Sequence, residues 1–204
     1  DGDGDHGRIV RKGSRFVQMS SPGPWLAAPM SDMWLPHDED PRMQAGPTRG
    51  EKETVLGYLE HYRATLELKC GGLSPAQLAT ASVPPSRMSL LGMVRHLTRV
   101  EHHWARRVLE GETGLERLFQ SEDAGFALPE VVETAYVDEA WACWRDEVAH
   151  ARSVADAMAM DALVEVHGER IEVRDVLVHL VEEYARHLGH VDLLRECLDG
   201  RVGQ

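Results

Sequence analysis

Apolar residues recur every three or four positions through four long stretches of this chain, and each stretch predicts a helix with one buried stripe. The first runs over about 51–69 on Val55, Leu59, Tyr62 and Leu66. Thr48, followed three residues on by Glu51, reads as a capping box that opens it, and "CGGLSP" closes it. The second, about 90–110, follows the helix-hostile "VPPS", takes Ser89 as its cap and carries Leu90, Leu91, Val94, Leu97, Val100, Trp104 and Val108. The third, about 138–160, has Trp141, Trp144, Val148 and Val154. The fourth, about 173–198, stops at Gly200, a suitable C-terminal glycine.

The segments between them are less regular. Residues 111–137 form a long connection with Gly111, Gly114, Gly125 and Pro129, a length that suits a functional or partly helical segment better than a passive link. "VEVHGERIEV" alternates Val164, Val166, Ile171 and Val173 about His167-Gly168, which predicts a small β-hairpin or extended chain before the last helix. Four helices with one stripe each make an all-α four-helix bundle over residues 48–200. Residues 1–47 lack periodicity and are rich in Gly, Pro, Ser and Asp, so they read as a poorly ordered tail. Met30 looks like a natural start, with 1–29 a leader or extension. "DGDGDHG" fails as a calcium loop, because His6 and Lys12 stand where the turn glycine and the closing glutamate belong.

Composition narrows the function. A chain of 204 residues is long enough for one full core. Lys plus Arg number 22 against 34 Asp plus Glu, a charge of −12 that argues against a nucleic-acid surface. No apolar run reaches the length of a membrane span, and no secretory signal opens the chain. Cys70, Cys143 and Cys197 are odd in number and without CxxC spacing, as expected of thiols in a reducing cytoplasm. Among the 11 histidines, His6 and His37 fall in the tail, while His61, His102, His150 and His167 read as solvated.

The pattern turns chemical at "VEEYARHLGH", residues 181–190. Glu183 and His187 are one helical turn apart, separated by about 40° around the axis. They share the side that Leu180, Tyr184 and Leu188 turn inward. An ionised carboxylate there needs a cation, and a divalent metal with a neutral imidazole as second ligand supplies one. His96, among Met93, Leu97 and Val100, is the best third ligand. His179 and His190 are reserve ligands. Together with His103 and Tyr184 they are otherwise candidates for the pocket wall or for groups supporting the ligands. Spacing alone leaves a metal-free alternative open, a Glu183–His187 pair hydrogen-bonded in the core. The paired Glu-x-x-His of di-iron bundles is absent.

"SLLGMVRHLTRVEHHW" and "VLVHLVEEYARHLGHVDLLRE", with "ELKCGGLSPAQL" and the closing "LDG", resemble the DinB-like superfamily, in the subgroup long labelled a domain of unknown function. The similarity covers about residues 48–200. It implies a four-helix bundle holding a divalent metal on a histidine of the second helix and two residues of the last, matched by His96, Glu183 and His187. The glutamate at 183 is similar to the mycothiol-dependent maleylpyruvate isomerase branch, where many other relatives have histidine. The isomerases carry a further C-terminal domain, and this chain ends just after the fourth helix, which points away from isomerisation.

Relatives with assigned chemistry are S-transferases of low-molecular-weight thiols. The resemblance therefore implies a metal-dependent transferase acting on a small thiol and an electrophile. Zinc is the leading metal, with nickel, iron or manganese as alternatives. An Ala-, Arg- and Val-rich chain with three lysines suits an actinobacterial source, and so mycothiol as the thiol. The alternatives are a non-catalytic metal-binding stress or interaction bundle, and a metal-dependent hydrolase using Glu101 or Glu182, both read as outward-facing. A homodimer is compatible with any of these.

Overall fold

Residues 33–44, 48–119 and 126–203 are described by a computed structural model of the chain. The expectations for residues 1–29, the rejected calcium loop included, lie outside them. Among the described residues there are five helices and one two-stranded sheet. Helix α1 spans Gly50–Cys70, α2 Pro75–Ala79, α3 Leu90–His102, α4 Thr134–Ala157 and α5 Val173–Asp199. The four long ones form the expected bundle. No helix among the described residues is long and apolar enough to cross a membrane.

The hydrophobic stripes supply the core. Leu59 and Leu66 of α1, Leu90, Leu91, Met93, Val94 and Leu97 of α3, and Val176, Leu177, Leu180 and Val191 of α5 are all essentially excluded from solvent. Helix α1 packs on α5, and α3 packs on both α4 and α5. That last pairing sets the site.

Local signals explain most helix ends, with corrections. Ser89 caps α3 as expected, its hydroxyl accepting from the Gly92 amide at 3.1 Å. Gly200 ends α5 in the left-handed conformation at φ 76° and donates its N–H to the Glu196 carbonyl. The capping box at Thr48 is not used: Arg49 is the N-cap, and its amide donates to the Glu53 carboxylate at 2.9 Å. Glu51 instead meets Arg174 of α5 at 2.8 Å. The capping box that does form is Ser74–Gln77 at α2, a helix too short to show a stripe. Helix α4 begins at Thr134, a turn earlier than its tryptophans suggest, because Val137 and Ala140 already face inward.

Strands β1, Leu163–Val166, and β2, Glu169–Glu172, pair antiparallel with Val164 opposite Ile171, so the hairpin reading holds over the extended one. His167 and Gly168 turn it with φ of 53° and 85°, the paired positive angles of a type I′ turn.

Part of the stretch without periodicity is packed. Trp34 is 6% exposed, with the cations of Lys69, Arg195 and Arg201 at 4.3, 5.3 and 3.6 Å from its ring centroid. Asp40 and Arg42 are buried as an ion pair, and Arg42 also donates to Thr65 of α1 at 3.1 Å.

Candidate metal centre

Two neighbouring helices each contribute to one cluster. His96 comes from α3, with Glu183 and His187 one turn apart on α5. The Nε2 atoms of His96 and His187 are 3.0 Å apart. Glu183 Oε2 lies 3.2 Å from His187 Nε2 and 4.0 Å from His96 Nε2. A tetrahedral ion with bonds of about 2.0–2.1 Å has ligand atoms about 3.3–3.4 Å apart. The three observed edges bracket that spacing, so one nitrogen from each histidine and one carboxylate oxygen fit a divalent ion. The donor set, two imidazoles and a carboxylate, is a common one for zinc.

The carboxylate is ionised at neutral pH. The His187 hydrogen bond holds the Glu183 carboxyl below the usual carboxylate range, against burial and with help from the charges of His187, His179 and His96. Its other oxygen, Oε1, is taken by His179 Nε2 at 3.2 Å. His179 thus orients the carboxylate instead of joining the cluster.

The remaining candidates fall in different places. His103 starts a π-helical turn, His103–Leu109, that continues α3 with the Glu110 amide reaching back five residues to the Ala105 carbonyl. This turn carries His103 and Trp104 to the wall of a cavity of about 260 Å³ that opens beside His96 and Glu183. Burial, with the charges of Arg117 and Arg107, pushes the His103 imidazole down to about 4, so it is neutral. His179 lies against the Trp104 ring, centroids 4.6 Å apart. The His190 ring stands 5.5 Å from His187 and is held below the usual histidine range by burial, His187 and Arg186. Tyr184 turns into the core: its hydroxyl donates to Glu101 at 2.7 Å and accepts from the Trp144 indole at 3.0 Å.

Glu101 is a correction. Read as outward, it is fully buried, and Arg63 of α1 forks onto both its oxygens at 2.8 and 2.7 Å. His102 is likewise buried at 6% exposure, and burial lowers its pKa. His150, read as solvated, pairs with Glu110 at 2.7 Å. Cys70, Cys143 and Cys197 are free thiols, and only Cys70 is buried.

Phe126 was not legible in the sequence. It comes from the long connection and stacks on the His96 ring at 5.3 Å with planes 17° apart. Gly92, one turn before His96, makes room for it: a Cβ there meets Phe126 Cδ1 at 2.8 Å. A lone phenylalanine in a loop carries no local signal of such a role.

A helical bundle with a small two-stranded sheet, carrying a cluster able to hold a metal, is what this fold and this donor set define together. A family model described as mycothiol-S-transferase matches residues 54–200, well over half of the sequence, and the chain belongs to that family. No curated protein matches the chain.

Proposed function

We propose that this protein is a metal-dependent S-transferase that joins a low-molecular-weight thiol, mycothiol, to an electrophilic small molecule in the cytoplasm. His96, Glu183 and His187 hold a divalent ion, zinc in our reading. What carries this reading is the convergence of three donor atoms from two helices beside an open cavity. Such an ion would lower the pKa of a coordinating thiol, near 8.5 when free, and so would supply the sulfur nucleophile as thiolate. The protein's own groups do the rest. His179 fixes the rotation of the Glu183 carboxylate, and Phe126 fixes the plane of His96. Trp104 and Val100 exclude water from one wall of the cavity.

No protein nucleophile is needed, which suits the position of the thiols: Cys70 is buried and none of the three lines the cavity. The hydrolytic alternative loses a base, since Glu101 is bonded to Arg63 and Tyr184 in the core and Glu182 is exposed and paired with Arg186. The non-catalytic alternative predicts a metal site closed by a fourth protein ligand. The test is metal analysis of protein purified without an affinity-metal column, followed by a thiol-consumption assay with mycothiol. His187→Ala should lose metal and transfer together while keeping its helical circular dichroism. Full metal content in that variant sinks the ligand set, and metal without any thiol consumption sinks the transferase.

A further inference from the structure

Among the described residues, three histidines line the cavity beside the proposed centre: His96, His103 and His179. Two of them are engaged. His96 meets His187 at 3.0 Å and Glu183 at 4.0 Å, and His179 meets Glu183 at 3.2 Å. His103 differs. Its Nδ1 is buried without a hydrogen-bond partner, and neither ring nitrogen takes part in a hydrogen bond among the described residues. The ring packs edge-on against Trp104, centroids 5.2 Å apart, where a π turn begins, a distortion that recurs at functional sites. A buried polar atom without a partner costs stability and native proteins keep few of them, so one on a cavity wall points to a ligand. Burial, with the charges of Arg117 and Arg107, keeps this imidazole neutral, with one N–H to donate and one lone pair to accept. An uncharged hydroxyl, which also does both, is its complement.

Position along the helix sets the reach. His103 follows His96 by seven residues (103 − 96), two turns on and nearly the same side, about 10 Å along the axis. A molecule with its sulfur at the centre must extend that far to touch it. A small electrophile is too short. Mycothiol is long enough and chemically matched, being an N-acylated cysteine joined to two hydroxyl-bearing rings that carry no charge. We infer that His103 is a substrate-contacting residue, its imidazole hydrogen-bonded to a ring hydroxyl of mycothiol while the sulfur lies at the His96–Glu183–His187 cluster. The inference rests on the thiol-transfer reading above. His103 takes no part in bond making; it holds the body of the thiol, so its loss raises KM and leaves kcat.

The experiment compares mycothiol with N-acetylcysteine methylamide, which keeps the thiol and both amides but lacks the rings, as nucleophiles toward chloroacetamide on the zinc-loaded protein. In both reactions the S–C bond forms, the C–Cl bond breaks with the pair leaving on chloride, and the thiol proton goes to buffer. Each rate is divided by its uncatalysed rate. His103→Leu should lower kcat/KM for mycothiol about fivefold, the size of one uncharged hydrogen bond, and leave the truncated thiol unchanged. His103→Gln, which keeps a donor and an acceptor, should recover most of that loss. In long-range proton–nitrogen correlation spectra of the zinc-loaded wild type, mycothiol should shift one His103 ring nitrogen without protonating the ring. The truncated thiol should not.

A mycothiol kcat/KM unmoved by His103→Leu overturns the inference. So does a loss shared equally by the truncated thiol, or one that His103→Gln fails to recover, since either marks a residue that only shapes the wall. If His103→Leu does not fold, the ring shift in the wild type decides, and its absence overturns the contact. No transfer from either thiol, with the ring shift intact, overturns the transferase reading and leaves the contact standing. Transfer without the ring shift overturns the contact alone.

Discussion

The Arg63–Glu101–Tyr184–Trp144 cluster and the His96–Glu183–His187 cluster share neighbouring turns of α3 and α5, the first adding Arg63 of α1 and Trp144 of α4. Glu101 follows His96 on α3, and Tyr184 follows Glu183 on α5. In the first, every donor meets an acceptor: Arg63 forks onto Glu101, Tyr184 donates to Glu101, and Trp144 donates to Tyr184. Arg63 pairs with Glu101 inside and with the half-exposed Glu60 at 2.7 Å, and the Arg63 and Glu101 side chains are at most 2% exposed. In the second, three atoms with lone pairs converge within 4.0 Å of one another, and their side chains are 14–25% exposed beside a cavity. Burial of a carboxylate therefore says little about function. What separates the two is the partner: a permanently charged guanidinium closes the first, while the imidazoles that meet Glu183 in the second can give up a proton and offer a lone pair to an ion.

The strongest way to break the comparison is Glu101→Gln. It leaves the Arg63 charge with only the half-exposed Glu60 as its partner and should lower unfolding free energy by about 3 kcal/mol in urea titration. The remaining folded protein should still bind metal. A loss below about 1 kcal/mol means that the closed cluster is not what holds α1 to α3.

Removing the metal comes next. With free ion at about 100 times its dissociation constant, binding to the native state adds about 2.7 kcal/mol. Chelation should remove that from the wild type, and His187→Ala should be indifferent to chelator. Equal sensitivity of the two places the ion elsewhere.

The bundle, the hairpin and the Glu183–His187 pair could be read from the sequence because each is a local period: 3.6 for helices, two for strands, four for the pair. Arg63 could not. It occupies a core position between Leu59 and Leu66, but an arginine beside Glu60 looks like part of a solvated face until Glu101 arrives from another helix. The same reason hid Glu101 itself. Trp34, read within a tail, is held by cations separated from it by much of the chain. Phe126 and the π turn share the problem: one acts through a distant ring, and the other changes hydrogen-bond register without changing composition.

Gly92→Ala sharpens the comparison from the ligand side. The new methyl displaces Phe126 from His96 and should cost about 1 kcal/mol, at the low end for overpacking, because Phe126 is only partly buried. Metal affinity should fall severalfold with it, measured by competition with a chelating dye. Unchanged affinity means that the stacking does not position His96.

Acid stability tests the cavity wall. His103 falls from its ordinary value near 6.5 to about 4 in the folded state, so between those values the unfolded chain binds more protons. Stability should decline as pH drops through that window, the loss being complete below about 4. His103→Phe should flatten this part of the profile in denaturant titrations taken from pH 7 to 4, and an unchanged slope assigns it to other groups.

The π turn at His103–Leu109 has a consequence for how such a protein diverges. A π turn is a helix holding one residue more than its hydrogen bonding requires. Deleting a single residue there restores the α-helical ladder and, because the turn had absorbed that residue, keeps the flanking turns on their faces while the side chains within 103–109 change places. His96 keeps its place, while the far wall of the cavity is rebuilt from different side chains. Substrate choice in this architecture is thus open to change by length, one codon at a time, without any substitution among the proposed ligands.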